Sequence, residues 1–277
     1  MTRLLFATDP HGNASAYDDL LARARDLDVQ TLVLGGDLLP LAHGGDRLAA
    51  QLRFAREWLP AWLARARAQG ARVFAVLGND DWACCAPHLE RCDGLTLLHG
   101  RAAPLDEGRW IAGYPCVPVT PFSMSDWDRL DAPGWRPPRP PKNVVLSEVV
   151  GDGGRLRAAT LEEVAARPTI EEDLEALAGR SDPARTVYVV HTPPWGTPLD
   201  VMHGGAHIGS RALRAFVDRR QPPLTLHGHV HESPHLTGRI DDRVGRTLVV
   251  NPGASRQRLR AALVDLDRLS DGARLVT

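Results

Sequence analysis

The most constraining feature of this sequence is an alternation of short apolar runs, rich in β-branched residues, with longer stretches rich in alanine, leucine and arginine. The short runs have the length and composition of buried strands, and the longer stretches carry apolar residues at helical spacing. This pattern predicts an α/β fold in which strands and helices form separate layers. The predicted strands are residues 3–8, 31–34, 72–77, 110–113, 186–190, 223–226, 247–250, 259–264 and 274–276. The predicted helices are residues 14–26, 46–69, 161–178 and 210–220, the second of them kinked or split by Pro60.

Length and charge restrict the classes of protein to which the chain can belong. A length of 277 residues suits one large domain, and we expect a single domain over residues 1–277. The 33 basic and 34 acidic residues give a net charge of -1, which argues against a nucleic-acid or membrane partner. Four cysteines are too few for a disulfide framework, and no apolar run reaches the roughly 18 residues of a membrane span. We therefore expect a cytoplasmic protein with reduced thiols, in which Cys84 and Cys85 are buried.

Residues 114–142 differ in composition from the rest of the chain. Eight prolines and the aromatic residues Phe122, Trp127 and Trp135 fall within them. A core strand or helix does not tolerate that many prolines, so we expect an irregular insertion at about residues 114–145. It is either a surface loop that covers a sheet edge or a wall over a binding site, in which case Phe122 and Trp127 would contact the substrate.

Polar side chains follow five of the predicted strands, directly after each strand ends. Each group alone has an ordinary explanation, because Gly-Asp and Gly-Asn are turn signals and a single histidine is often buried and hydrogen-bonded. Ligands of open α/β folds gather beyond the carboxyl ends of strands, so five such groups in succession favour one shared site. The groups are Asp9-Pro10-His11, Gly35-Gly36-Asp37, Gly78-Asn79-Asp80-Asp81, His191-Thr192 and Gly228-His229-Val230-His231.

The order of these groups from Asp9 to His231 resembles the calcineurin-like metallophosphoesterases, whose pattern is DxH, GD, GNH(D/E), a single histidine and GHxH. The stretches that begin at His191, His207 and Gly228 are further similar to the cyclic-nucleotide-phosphodiesterase-like branch of small bacterial and archaeal phosphoesterases. The resemblance implies an α/β fold in the form of a four-layer sandwich of two mixed β-sheets flanked by helices. It also implies hydrolysis of a phosphodiester or phosphomonoester by in-line attack of a metal-bridging hydroxide.

The same resemblance implies two divalent or trivalent transition-metal ions and the residues that bind them. One ion would be bound by Asp9, His11 and His231, the other by Asn79, His191 and His229, with Asp37 bridging the two. Carboxylate, amide and imidazole ligands suit manganese, which we favour, as well as iron, zinc or nickel. The expected partner is a small-molecule phosphoester, and the oligomeric state stays open.

One position departs from the family pattern. Asp80 stands where the family has a histidine after Gly-Asn, and an ionised carboxylate would repel a dianionic phosphate. The departure favours phosphodiesters over phosphomonoesters. We take Asp80, Asp81 and His207 as catalytic candidates, Asp81 by orienting its neighbours and His207 also by contacting the substrate. Asn13 either contacts the phosphate or caps the helix that begins at Ala14.

Two other functions compete with this one. Some relatives of the family have lost catalysis and serve as binding scaffolds, but such chains usually lose ligand residues, whereas this chain has every ligand position filled. A nuclease would need a surface that follows a phosphate backbone, and the balanced charge does not favour one.

Overall fold

A computed structural model describes residues 2–41 and 46–277 of the chain. Its strands are β1 Arg3–Ala7, β2 Thr31–Gly35, β3 Arg72–Val76, β4 Leu95–Leu97, β5 Arg101–Pro104, β6 Trp110–Tyr114, β7 Val117–Pro118, β8 Asp128–Arg129, β9 Val144–Val150, β10 Gly153–Ala159, β11 Thr186–Val190, β12 Leu224–Leu226, β13 Asp241–Val244, β14 Thr247–Val250, β15 Ala261–Asp265 and β16 Ala273–Val276. Its α-helices are α1 Ala14–Asp26, α2 Arg47–Arg53, α3 Leu59–Ala68, α4 Ala86–Glu90, α5 Leu161–Ala165, α6 Ile170–Ala178, α7 Arg211–Arg220 and α8 Ser233–Thr237.

Twelve of these strands form two six-stranded sheets, the first in the order β16-β15-β1-β2-β3-β4 and the second in the order β13-β14-β12-β11-β6-β5. Strands β1 to β4 are parallel, and β15 and β16 are antiparallel to their neighbours. In the second sheet β14, β12, β11 and β6 are parallel, and the edge strands β13 and β5 are antiparallel. Both sheets are therefore mixed.

The side chains of β1 alternate between two apolar cores, and this alternation shows how the sheets are layered. Leu4 and Phe6 belong to the apolar core between the two sheets, whereas Leu5 and Ala7 face the helices on the outer side of the first sheet. Successive side chains of a strand point to opposite faces, so a strand that is apolar throughout is buried on both sides. In the outer layer Trp62 of α3 is fully buried and donates its indole N–H to the carbonyl of Tyr17 in α1 at 3.0 Å.

The second sheet has the same arrangement in β11. Val187 and Val189 face the first sheet, and Tyr188 and Val190 pack against α6 and α7 on the outer side. Helices, two mixed sheets and further helices thus form four layers, and the predicted fold class is confirmed. None of the helices in the described residues is long and apolar enough to cross a membrane.

Two of the predicted helices are divided. The prediction of one helix over residues 161–178 is wrong, because Pro168 lacks the N–H needed inside a helix and the chain leaves α5 before it. Helix α6 starts afresh with a capping box in which Thr169 and Glu172 bond each other's backbone N–H. The split expected near Pro60 is present: a π-helix at Phe54–Trp58 joins α2 to α3, and Pro60 lies in the first turn of α3.

The proline-rich segment contributes only the short pair β7 and β8 to regular structure. It is bonded to several elements: the Asp131 carboxylate accepts from the Ser210 hydroxyl and from two backbone N–H groups at the start of α7, and the Leu130 carbonyl accepts from Ile170. The β9–β10 hairpin follows and was not predicted. Cys84 and Cys85 are buried, as expected, and are free thiols.

Candidate metal centre

The polar groups that follow the strands meet where the carboxyl ends of the two sheets lie side by side. The loop after β1 runs beside the loop after β2, where the Asp9 N–H donates to Gly36 at 3.0 Å and the His11 N–H donates to Asp37 at 2.9 Å. The two sheets are linked at the same point, because the His191 ring nitrogen Nδ1 lies 2.8 Å from the Gly35 carbonyl oxygen. The structure therefore brings the donors of both sheets together.

Four of the predicted ligands have a backbone conformation that side-chain-bearing residues rarely adopt. Asp9, His11, Asp37 and His229 have φ angles of 53°, 45°, 52° and 66°. Such left-handed residues cost free energy, on the order of 1 kcal/mol or more each, and tend to occur at functional sites. The sharp turns place these four side chains beyond the strand ends, where regular strand positions would point them to the faces of the sheets.

One group of donors surrounds Asp9. The His231 Nε2 atom lies 3.1 Å from Asp9 Oδ1 and 3.4 Å from His11 Nε2, and His11 Nε2 lies 4.0 Å from Asp37 Oδ2. One ligand atom from each of these four residues lies within 4.8 Å of the others. This spacing is compatible with a single cation that contacts all four.

A second group surrounds Asn79. Its Oδ1 atom lies 2.7 Å from His229 Nδ1 and 3.1 Å from His191 Nε2, and His191 Nε2 lies 3.6 Å from Asp37 Oδ1. Asp37 thus directs one oxygen toward each group, and all seven predicted ligands are in one place. Which of them bind metal stays a prediction.

Glycines leave room for this concentration of side chains. A Cβ atom on Gly78 would meet the Asp37 carboxylate, and one on Gly228 would meet the side chains of Thr8 and Asp9. Both contacts are closer than real Cβ atoms allow, so larger residues would displace a predicted ligand. The glycines that precede Asn79 and His229 are therefore needed for space.

Burial and mutual attraction set the ionisation of these side chains. Burial by itself would raise the pKa of Asp37, but His191 and His11 hold it well below its usual range. Burial by itself would lower the pKa of His191 and of His231. Instead Asp37 and Asp9 raise the pKa of His191 to about 10, and Asp9 raises the pKa of His231 to about 9. Burial lowers the pKa of His229 to about 4. The buried carboxylates thus attract positive charge, which a cation can supply in place of a proton.

The donor set fits two divalent cations. It consists of carboxylate, amide and imidazole groups, and the four cysteines lie outside it. A site with both oxygen and nitrogen ligands suits first-row transition metals better than a site with only oxygen ligands or only thiolates. Buried charges are normally paired or bound to metals, and Asp9 and Asp37 are both buried.

Asp80 and Asp81 lie beside the second group but have different surroundings. The Asp80 N–H donates to Asp37 Oδ1 at 2.8 Å, and the Asp80 carboxylate is 28% exposed. Asp81 is fully buried and accepts backbone N–H groups of Leu38, Leu39 and Gly78 at 2.7 to 3.0 Å. Asp81 therefore holds the loop after β2 against the loop after β3, and its contribution to catalysis stays a prediction.

The other predicted site residues are more scattered. Asn13 caps α1, since its side-chain oxygen accepts from Ser15 and Ala16, and its contact with phosphate stays a prediction. His207 is 37% exposed, and its Nδ1 atom lies 2.7 Å from the buried carboxylate of Asp200. Phe122 is 60% exposed.

Trp127, another predicted substrate contact, is partly buried. Its indole N–H donates to the Asp81 carbonyl at 2.7 Å, and its ring packs edge-on against His99. These contacts indicate that Trp127 supports the loop that carries Asp80 and Asp81. Its contact with substrate stays a prediction.

Sequence reasoning missed the residues that hold this loop from the other side. Arg47 and Gln51 are four residues apart on α2, and both donate to the Asp80 carbonyl, at 3.0 and 2.7 Å. The Arg47 guanidinium also donates to the Asp80 carboxylate at 2.7 Å. Asp200 was missed as well, although it accepts from His207 and from the N–H groups of Gly196, Thr197 and Gly209. No local motif marks Arg47 and Gln51, because 33 and 29 residues separate them from Asp80. The partners of Asp200 lie within nine residues of it, and only the folding of that loop brings them onto one carboxylate.

The geometry agrees with comparisons to other proteins. The sequence model of the calcineurin-like phosphoesterases matches residues 2–233. The chain is similar to the protein TT1561 of Thermus thermophilus, with 17% identity, a TM-score of 0.60 and coverage of 100% of this chain and 98% of that one. It is also similar to a dimetal phosphatase from Danio rerio, with 13% identity, a TM-score of 0.54 and coverage of 94% and 91%. At these identities the likeness concerns the fold. None of the curated proteins compared with this sequence matches it significantly.

Proposed function

The chain belongs to the calcineurin-like phosphoesterase family, and from that premise we propose that it hydrolyses a small-molecule phosphodiester with the help of two divalent metal ions. The observation that carries the proposal is the position of Asp37 between two groups of donors. One of its oxygens lies toward His191 and the other toward His11, which is the arrangement of a carboxylate shared by two ions.

In the proposed site Asp9, His11 and His231 hold one ion and Asn79, His191 and His229 hold the other. When bound there, the ions would supply an activated water and positive charge for the phosphate oxygens of an in-line displacement. Manganese is the metal we propose first, with iron, zinc or nickel as alternatives. The chain's own contribution is to keep the donors buried and oriented, as the bond from His191 to the Gly35 carbonyl does.

The preference for diesters rests on Asp80. Its carboxylate faces the centre closely enough for Asp37 and His11 to influence its pKa, which burial and Asp37 raise. A carboxylate there adds negative charge near the scissile phosphate, which the ion pair with Arg47 offsets only in part, and a diester carries one charge fewer than a monoester. Asp80→His should therefore raise monoesterase activity relative to diesterase activity. An unchanged ratio, or a wild-type protein that prefers monoesters, would contradict the preference.

Metal analysis of the purified protein, combined with a substrate panel, tests the proposal. The panel comprises bis-para-nitrophenyl phosphate, para-nitrophenyl phosphate, cyclic nucleotides and single-stranded nucleic acid. Asp37→Ala should lose bound metal and nearly all activity while its circular dichroism spectrum stays that of the wild type. Asp93→Ala is the matched control, because Asp93 is an exposed carboxylate with only a 3.9 Å ion pair to Arg67. Wild-type turnover in the Asp37 variant would refute the assignment.

A further inference from the structure

Arg47 brings a guanidinium group to the edge of the candidate metal centre. Its Nη2 atom donates to the Asp80 carboxylate at 2.7 Å and to the Asp80 carbonyl at 3.0 Å. Asp80 in turn donates its N–H to Asp37 at 2.8 Å. A chain of two contacts therefore connects Arg47 to the carboxylate that lies between the two donor groups.

The ion pair between Arg47 and Asp80 is partly buried and is held in place by neighbouring contacts. The two side chains are 26% and 28% exposed, so they are largely covered but still reach solvent. Gln51, one turn later on α2, donates to the same Asp80 carbonyl and accepts from the Trp82 N–H, which fixes α2 against this loop. The Arg47 Nε atom is buried and has no hydrogen-bond partner among the described residues.

Charge decides what this pair can do. An Asp80 carboxylate alone would repel an anion at the centre, but with Arg47 attached it anchors a permanent cation there. Arginine presents several N–H donors in a planar fork that suits phosphate oxygens, and Asp80 occupies only part of that fork. The group at this edge is therefore able to bind an anionic oxygen next to the phosphate at the metal ions.

We propose that Arg47, anchored by Asp80, binds a second phosphate adjacent to the scissile one, so that the substrate class of this site is a pyrophosphate-linked diester. The inference rests on the proposed function and specifies its substrate. Each phosphorus of such a linkage carries a single negative charge, as in a simple diester, so the scissile phosphate still suits a site that contains Asp80.

The reaction balances with water as the only co-reactant. The water oxygen bonds to one phosphorus, and the bond between that phosphorus and the bridging oxygen breaks. Its electron pair stays on the departing phosphate, where Arg47 stabilises the added charge. One water proton remains on each phosphate product, so two singly protonated monoesters result.

The test compares diadenosine diphosphate, which has the pyrophosphate linkage, with adenylyl-adenosine, a simple diester with the same bases. Because Arg47→Met also leaves the Asp80 carboxylate without its cation, kcat/KM should fall for both substrates. The fall should be about 30-fold larger for diadenosine diphosphate than for adenylyl-adenosine, the effect of losing one strong charged hydrogen bond. Calorimetry with adenosine 5′-methylenediphosphonate should show a similar loss of affinity. Metal content should equal that of the wild type.

Arg53→Met is the control, because Arg53 is an exposed arginine on the same helix. Arg47→Lys keeps the positive charge but lacks the planar fork of N–H donors, so its loss of kcat/KM for diadenosine diphosphate should be intermediate. This variant gives a second test if Arg47→Met folds poorly. Equal losses on both substrates, or none, would overturn the inference while leaving the proposed phosphodiesterase intact. No turnover of either substrate by the metal-loaded wild type would contradict the proposed function as well.

Discussion

His191 and Gly35 are joined by a contact of 2.8 Å between a ring nitrogen and a carbonyl oxygen, although His191 follows a strand of the second sheet and Gly35 ends a strand of the first. A carbonyl oxygen can only accept, so Nδ1 must carry the hydrogen and donate it. The opposite nitrogen, Nε2, is then directed to Asn79 and Asp37. This bond therefore links the two sheets at this edge and fixes the orientation of a predicted ligand.

The glycine before His229 offers a test of how tightly the donors are packed. Gly228→Ala places a methyl group against Thr8 and Asp9, so metal affinity should fall by about 10- to 100-fold, as for other changes that displace a ligand's support. Titration with manganese measures the effect. Gly179→Ala is a suitable control, since a Cβ there comes no closer than 3.4 Å to its neighbours. An equal loss in both variants would refute the explanation.

Trp127 should act on the loop of Asp80 and Asp81 through its indole N–H. Trp127→Phe removes the bond to the Asp81 carbonyl and should lower the free energy of unfolding by about 1 kcal/mol, together with some loss of activity. Urea denaturation measures the first effect. Phe122→Ala should leave stability unchanged, because Phe122 is 60% exposed, and should raise KM for a bulky diester more than for a small chromogenic one. Unchanged stability in the Trp127 variant would contradict the proposed support.

The buried Asp128 carboxyl should make stability depend on pH. Burial raises its pKa from the ordinary value of 3.8 to about 7, and its Oδ1 atom has no partner among the described residues. The folded protein therefore keeps a proton that the unfolded chain releases, and stability falls as pH rises from about 4 to about 7. The full effect is about 4 kcal/mol.

Asp128→Asn removes that titration. The variant should be nearly as stable as the wild type at pH 4 and more stable by several kcal/mol at pH 8, with the difference constant above pH 7. Denaturant unfolding of both proteins across this pH range gives the comparison. A difference that does not change with pH would show that Asp128 is ionised in the folded protein.

His207 is expected to contribute to turnover but little to stability. It is partly exposed, and Asp200 orients its ring through Nδ1. If it transfers a proton to the substrate, His207→Gln should lower kcat by about 100-fold and leave the melting temperature unchanged. His203→Gln, in the same glycine-rich loop, should have no effect on kcat. Wild-type kcat in the His207 variant would exclude proton transfer by this residue.

The elements that the sequence predicted well are those whose local composition matches their final surroundings. Strand β11 is apolar along its length and buried on both faces, and its predicted bounds agree with the structure. The β9–β10 hairpin was missed because Val149 and Val150 are exposed at its turn and Arg155 and Arg157 interrupt any apolar pattern. The break at Pro168 was visible in the sequence, since a proline directly precedes the cap at Thr169.

The candidate site was predictable for a different reason. Its seven donors follow strands in the order of a known motif, so they could be identified without knowing the fold. Arg47 could not, because 33 residues separate it from Asp80 and only the packing of α2 against the loop brings them together. Asp200 is a different case, because only seven residues separate it from His207, and it was missed because no motif marks the loop that brings the two side chains together.

The left-handed backbone at Asp9, His11, Asp37 and His229 has a consequence for anyone who wishes to rebuild this centre in another scaffold. Two aspartates and two histidines placed on regular strands would point to the faces of the sheets instead of into the space beyond the strand ends. A transplant has to carry the turns as well, and the host must be stable enough to tolerate four unfavourable backbone conformations. What has to be transferred is the set of turns that follow the strands of the two sheets, together with the side chains that these turns position.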